Sequence, residues 1–273
     1  MKRILTIQDI SCVGQCSLTV ALPIISSFGI ETSVIPTAVL STHTAFQGFT
    51  FHDLTEELPE IEKHWQKEKI TFDGFYTGYV GSTKQIDYII SIISHLANSN
   101  AIKVIDPCMA DNGKLYTGFA EDFPKHMLEL CKYADVILPN LTELCLLLGV
   151  EYKMYNKEEL EALVKRISSI TNASVVLTGV SFEEEKLGAM TYDKEKGEIS
   201  YYFTERVPIM FHGTGDCFAS AFFGAVIKGY TYFEASKIAC EFTYLSVKNT
   251  ENEHEKHWYG VHFESALHYL TNL

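Results

Sequence analysis

Five times along this chain a short β-branched or aliphatic run ends in a polar loop that opens onto a helix-spaced segment, with the joins at Asp9, Tyr79, Asp106, Asn140 and Thr178. A strand that repeatedly gives way to a helix reaches its next partner by a crossover, which favours parallel pairing. The pattern therefore predicts an α/β fold, with a mostly parallel central sheet and helices on both faces. The predicted strands are 3–8, 31–36, 72–77, 101–106, 135–140 and 174–178, with 187–192 and 198–204 as an antiparallel hairpin near an edge. Helices are predicted at 18–28, 56–69, 85–97, 140–148, 156–170 and 232–247, after Asp216, and from His262. Asn156 with Glu159 three residues on has the form of a capping box. With no internal repeat, low-complexity tract or linker, residues 1–273 read as one domain.

A net charge of −13 argues against nucleic acid or an anionic membrane as a partner, because nothing would neutralise phosphates over a wide surface. It leaves room for a small anionic ligand held by backbone amides and a metal. No apolar run reaches the length of a membrane span. Seven cysteines without a CxxC pair, and no stretch that reads as a signal peptide, predict free thiols and a cytoplasmic protein.

Gly213-Thr214-Gly215-Asp216 leads straight into a small-residue and aromatic run that reads as a buried helix. Consecutive N–H groups at such a helix start suit phosphate oxygens. Asp216 is then either a general base beside that phosphate or simply the helix N-cap. In an open parallel sheet ligands bind outside the carboxyl ends of the strands, which gathers Asp106, Asp111, Asn140 and Glu143 along one edge opposite the glycine turn. Magnesium takes one or two carboxylates plus waters and phosphates, so an anion turn, a base and a hard-cation site together point to phosphoryl transfer onto a hydroxyl. Residues 37–53 mix hydroxyls, histidines and aromatics, and read either as a flap over a small ligand or as a β-hairpin with a mixed face.

The Gly-Thr-Gly-Asp helix start, Asp106-Pro107 and Pro139-Asn140-Leu141-Thr142-Glu143 resemble the ribokinase-like superfamily of small-molecule kinases. Within it, Ser41-Thr42-His43-Thr44, Thr77-Gly78-Tyr79-Val80-Gly81-Ser82 and the segment from Asp106 to Asp111 resemble the pyridoxal and pyridoxamine kinases. The resemblance implies an ATP-dependent kinase acting on the 5′-hydroxymethyl group of vitamin B6 compounds, homodimeric, with a small flap over the site. It implies Asp216 as base and Gly213, Thr214 and Gly215 as the anion hole. Asp106, Asn140 and Glu143 would organise Mg2+ and the phosphates, and Asp111 would stand where the family often holds a monovalent cation such as K+. Thr178 would touch the ATP phosphates and Val207 would lie against adenine. Thr44, Tyr79 and either Asp9 or Ser11 would meet the vitamer. Departures from the family are Asp9 at or near the position of a strand-1 serine, Leu138 in place of a threonine, Ala110 in place of glycine, and Cys217 directly after the base. A hydroxymethylpyrimidine kinase and a non-catalytic vitamin-binding regulator on the same fold are the rival readings.

Overall fold

The computed structural model describes residues 2–273. From the amino end come β1 (Arg3–Ser11), α1 (Leu18–Ser27), β2 (Glu31–Leu40), β3 (Phe51–Asp53), α2 (Glu57–Lys67), β4 (Phe72–Thr77), α3 (Thr83–Leu96) and β5 (Ala97–Ile105). A small hairpin of β6 (Ala110–Asp111) and β7 (Lys114–Leu115) follows, then α4 (Phe123–Cys131), β8 (Val136–Ile137), α5 (Leu141–Leu148), α6 (Lys157–Thr171) and β9 (Ser174–Val180). The chain closes with β10 (Lys186–Asp193), β11 (Glu198–Glu205), α7 (Thr214–Lys228), α8 (Tyr232–Thr250) and α9 (Leu267–Thr271).

Among the described residues nine strands form one sheet, in the order β11-β10-β9-β8-β5-β4-β1-β2-β3. Neighbours from β2 through β1, β4, β5 and β8 to β9 pair in parallel. The added strands at both edges are antiparallel: β3 on β2, and the β10–β11 hairpin on β9. The direction of strand addition reverses at β1, between β2 and β4, and a crevice at the carboxyl ends of the strands follows from that reversal.

Side-chain alternation on the sheet loads both faces. Leu5, Ile7, Phe75 and Ile105 pack under α2 to α6 with Leu58, Ile89, Met127, Leu144 and Val164. Ile4, Tyr76, Val104 and Val176 pack under α1, α7, α8 and α9 with Ile24, Phe222, Phe223, Phe242 and Leu270. Burial of this apolar surface is what holds the strand ends, and the loops on them, in place.

Several predicted bounds move. β1 runs on to Ser11, so Asp9 lies inside the strand, at the point where the pairing with β2 shifts register. β2 extends through Thr37 to Leu40 and pairs with β3, so residues 37–53 form a hairpin that begins and ends in the sheet. β8 keeps only Val136 and Ile137, because Pro139 has no N–H to give a ladder. The predicted C-terminal helix is a 3-10 turn, Glu264–Ala266, followed by the short α9. α4, β6 and β7 lie outside the predicted elements; α4 starts without a side-chain cap, and Pro124 in its first turn is the one local signal of its start.

Candidate active site

Gly213, Thr214 and Gly215 lie at the start of α7, with Asp216 in its first turn. Gly213 is the N-cap at φ 79, and a Cβ there would sit 2.0 Å from the Gln15 carbonyl oxygen, so the turn requires glycine. No side chain caps α7, which removes the N-cap reading of Asp216 and leaves the first N–H groups free for an anion. Burial, with the nearby charge of Asp9, pushes the Asp216 pKa up to about 7, against the pull of the Ser17 N–H close by. Cys217 behind it is fully buried and burial raises its thiol pKa well above the usual range, so it packs rather than reacts.

The turn opens onto a cavity of about 450 Å3. Asp106, Asp111, Asn140, Glu143, Thr178, Val207, Gly213, Thr214, Gly215 and Asp216 all line it, as the sequence reading grouped them. Asp106 follows the end of β5, with its N–H on the Thr77 carbonyl. Asn140 and Glu143 form the capping box of α5: the Asn140 Oδ1 accepts the Glu143 N–H, and Glu143 Oε2 accepts the Asn140 N–H, each at 2.9 Å. Glu143 Oε1 takes the Met109 N–H at 3.1 Å, and Asn140 Nδ2 donates to the Ala110 carbonyl at 2.8 Å. Both side chains therefore hold the Asp106–Asp111 loop onto α5 before any ligand arrives.

Burial pushes the Asp106 pKa well up, with the charges of Glu143 and Asp216 adding to it. Burial likewise takes Glu143 up to about 8 despite the N–H groups it accepts. Among the described residues no lysine or arginine lines the cavity, and no three acids, histidines or cysteines converge as a metal cluster. Asp111, exposed, has both oxygens on Asn112. Crowded acids without a basic partner fit a hard divalent cation held by one or two carboxylates and completed by phosphate oxygens, and do not supply an all-protein cage.

The acceptor-side candidates lie outside that cavity. Asp9 is buried, with Oδ1 on the Ser17 hydroxyl at 2.5 Å and Oδ2 on the Ser11 hydroxyl at 3.1 Å. Tyr79, half-buried, packs on Phe119 at 5.5 Å, and burial beside Asp9 pushes its pKa up to about 12. Thr44 is exposed in the loop between β2 and β3.

That loop is tied down. Ser41 and Thr50 pair across it, and His43 is buried beneath it. His43 Nδ1 accepts the Ala45 N–H at 3.2 Å, leaving Nε2 to donate to the Tyr259 carbonyl at 2.8 Å. The His43 ring lies 4.9 Å from His212, next to the glycine turn, and Phe46 packs 4.5 Å from Trp258. Two of the aromatic rings of 37–53, His43 and Phe46, thus find their partners in the C-terminal segment. Ser17, His43, Tyr116 and the α8 residues Thr243 and Tyr244 are the site's parts that sequence reading missed. Ser17 left a trace as a serine just before a helix, and His43 as a member of the Ser41-Thr42-His43-Thr44 motif.

A sequence profile of the phosphomethylpyrimidine kinase family matches residues 25–260. A pyridoxal kinase of Dictyostelium discoideum is 25% identical over 300 residues, spanning 99% of this chain and 96% of that protein. Among solved structures, the pyridoxal kinase of Lactobacillus plantarum is 30% identical with a TM-score of 0.92, covering 100% of this chain and 97% of that one. A Bacteroides thetaiotaomicron protein assigned as a phosphomethylpyrimidine kinase, in a crystal form with pyridoxal, is 36% identical with a TM-score of 0.94 over 98% and 95% of the two chains. Likeness of this extent makes the chain a member of the phosphomethylpyrimidine kinase family, in the ribokinase-like group that includes the pyridoxal kinases.

Proposed function

We propose that this protein transfers the γ-phosphoryl group of ATP to the 5′-hydroxymethyl group of pyridoxal, pyridoxamine or pyridoxine. The carrying observation is Asp216, a carboxyl with a pKa of about 7, in the first turn of a helix whose uncapped N–H groups face an acid-lined cavity. The L. plantarum pyridoxal kinase and the pyridoxal in the B. thetaiotaomicron crystal support the vitamer.

Asp216 takes the proton of the 5′-hydroxyl as its oxygen bonds to phosphorus and the bond to the β-phosphate oxygen breaks, leaving ADP. The N–H groups from Gly213 to Gly215 receive the charge on the transferring group. Thr178 and Val207 flank the nucleotide. Asp106 and Glu143 would hold Mg2+, which offsets phosphate charge when bound, and Asp111 would hold a monovalent cation. Asp9, Tyr79 and Thr44 meet the vitamer, and Ser11 acts through Asp9.

The whole chain works as one kinase domain, a reading supported by a sheet that draws strands from residue 3 to residue 205. Free cysteines agree with a reducing cytoplasm, and no helix among the described residues is long and apolar enough to cross a membrane. We also propose a homodimer, as the family resemblance implies; light scattering at micromolar concentration should return twice 30.8 kDa, and a monomer mass refutes it.

ADP release with pyridoxal, pyridoxamine and hydroxymethylpyrimidine offered side by side tests the function. Turnover on the pyridines is expected. Turnover on the pyrimidine alone supports the rival kinase, and none at all supports a binding protein.

A further inference from the structure

Ser17 stands just ahead of α1, where a serine ordinarily turns its hydroxyl onto the free N–H groups of the helix. Here no side chain caps α1. The Ser17 hydroxyl donates to Asp9 Oδ1 at 2.5 Å, and its N–H lies close enough to the Asp216 carboxyl to favour the charged form. Its backbone sits at φ 55, ψ −130, a conformation that a residue with a Cβ holds only at a cost, and Gly14 and Gln15 before it are also at positive φ. A bridge to Ile10 folds the loop back along β1, which sets one residue against two carboxyls. A serine that gives up its cap and accepts strain, at 6% exposure, is held there by what its two donors do.

We infer that Ser17 is a positioning residue, which ties Asp9 on the acceptor side to Asp216 at the reacting end and so fixes the spacing between ring recognition and proton removal. The inference rests on the assignment of the acceptor site to a vitamin B6 compound. Besides the Ser17 and Ser11 hydroxyls, only its own N–H favours the charged Asp9, few donors for a buried carboxylate that can accept about four hydrogen bonds. Burial raises its pKa, which adds to the want of a further donor. The missing donor is one that a ligand can bring: a 3-hydroxypyridine ring with its proton on nitrogen completes the set. Ser17 thereby biases the site towards acceptors that carry an N–H at the ring.

Two variants separate the hydroxyl from the backbone. Ser17→Gly keeps the N–H to Asp216, suits positive φ and removes only the hydroxyl; Ser17→Ala removes the hydroxyl and keeps the strain. Both are expected to raise the vitamer KM about 10- to 100-fold, the range for losing a hydrogen bond to a charged group. The ATP KM should stay within about twofold, and neither change should add much in an Asp9→Asn background if the two side chains act as a unit. An unchanged vitamer KM in Ser17→Gly overturns the inference, as does an ATP KM that rises in step, a defect confined to Ser17→Ala, or full additivity with Asp9→Asn. Calorimetric titration of pyridoxal, without ATP, keeps this test apart from that of the function. Weaker pyridoxal binding in Ser17→Gly, non-additive with Asp9→Asn, upholds Ser17 even in a protein that forms no ADP. A wild-type protein that binds no pyridoxal refutes both.

Discussion

Two demands meet at Asp216: a base must be ionised, yet burial and the charge of Asp9 favour its proton. The Ser17 N–H and the helix start work the other way, and a pKa of about 7 is the result. Asp216→Asn keeps the shape and removes the base, so turnover should fall by roughly 10²–10⁴ while calorimetry still finds nucleotide and vitamer bound. Turnover close to wild type would remove Asp216 from the chemistry. Because only the carboxylate accepts a proton, kcat/KM for the vitamer should climb with pH and level off above about 7. A profile flat from pH 5.5 to 8 would contradict the assignment.

At the scale of elements, the hairpin made by β2 and β3 joins the edge of the sheet through three rungs. Its rungs are Ala38 with Asp53, Val39 with His52 and Leu40 with Phe51, and the ten residues between them rest on His43 and Phe46. Amide exchange over residues 41–50 should slow when a non-hydrolysable ATP analogue and pyridoxamine are both present, since a closed loop would keep water from the phosphoryl group. Equal protection with and without ligands would make this a fixed hairpin. What sequence could reveal here was local. Residues 72–77 were read at their true bounds, and the Asn156–Glu159 box at the start of α6 is as expected, because alternation and capping act within a few residues. The Gly213 turn, Asp106, Asn140, Glu143 and Thr178 line one cavity because parallel topology sends every strand end to one edge, whereas Val207, after the antiparallel β11, is placed only by the family resemblance. The docking of His43 on Tyr259, 216 residues away, and the reach of Ser17 to both Asp9 and Asp216 leave no periodic mark. Nor could sequence show that Glu143 and Asn140 spend their polar atoms on the α5 cap and the loop at Met109 and Ala110.

For the molecule as a whole, acids with raised pKa tie stability to pH in a fixed direction. Between the unfolded value of 3.8 and the folded value of about 7, the folded state holds the Asp216 proton and the unfolded chain does not. Asp9 contributes with the same sign. The part that Asp216 contributes is therefore full below about pH 4 and is lost as pH rises through about 7. The Tm of the ligand-free protein should accordingly carry a falling component from pH 5 to 8, which Asp216→Asn should lessen while Glu143 and Asp106 keep part of it; an unchanged slope in the variant would rule out Asp216 as a contributor. The division of the core between two faces has a different consequence. Strands β1 to β5 are all made by residue 105, but α7 and α8, whose Phe222, Phe223 and Phe242 cover Ile4, Val20, Ile24 and Tyr76, come only after residue 213. While the ribosome is still at work, a nascent sheet with one bare greasy side must wait for its cover, as a substrate for chaperones or for aggregation. Changes on that face should therefore show themselves first as lost yield in the cell, before purified protein reveals any defect.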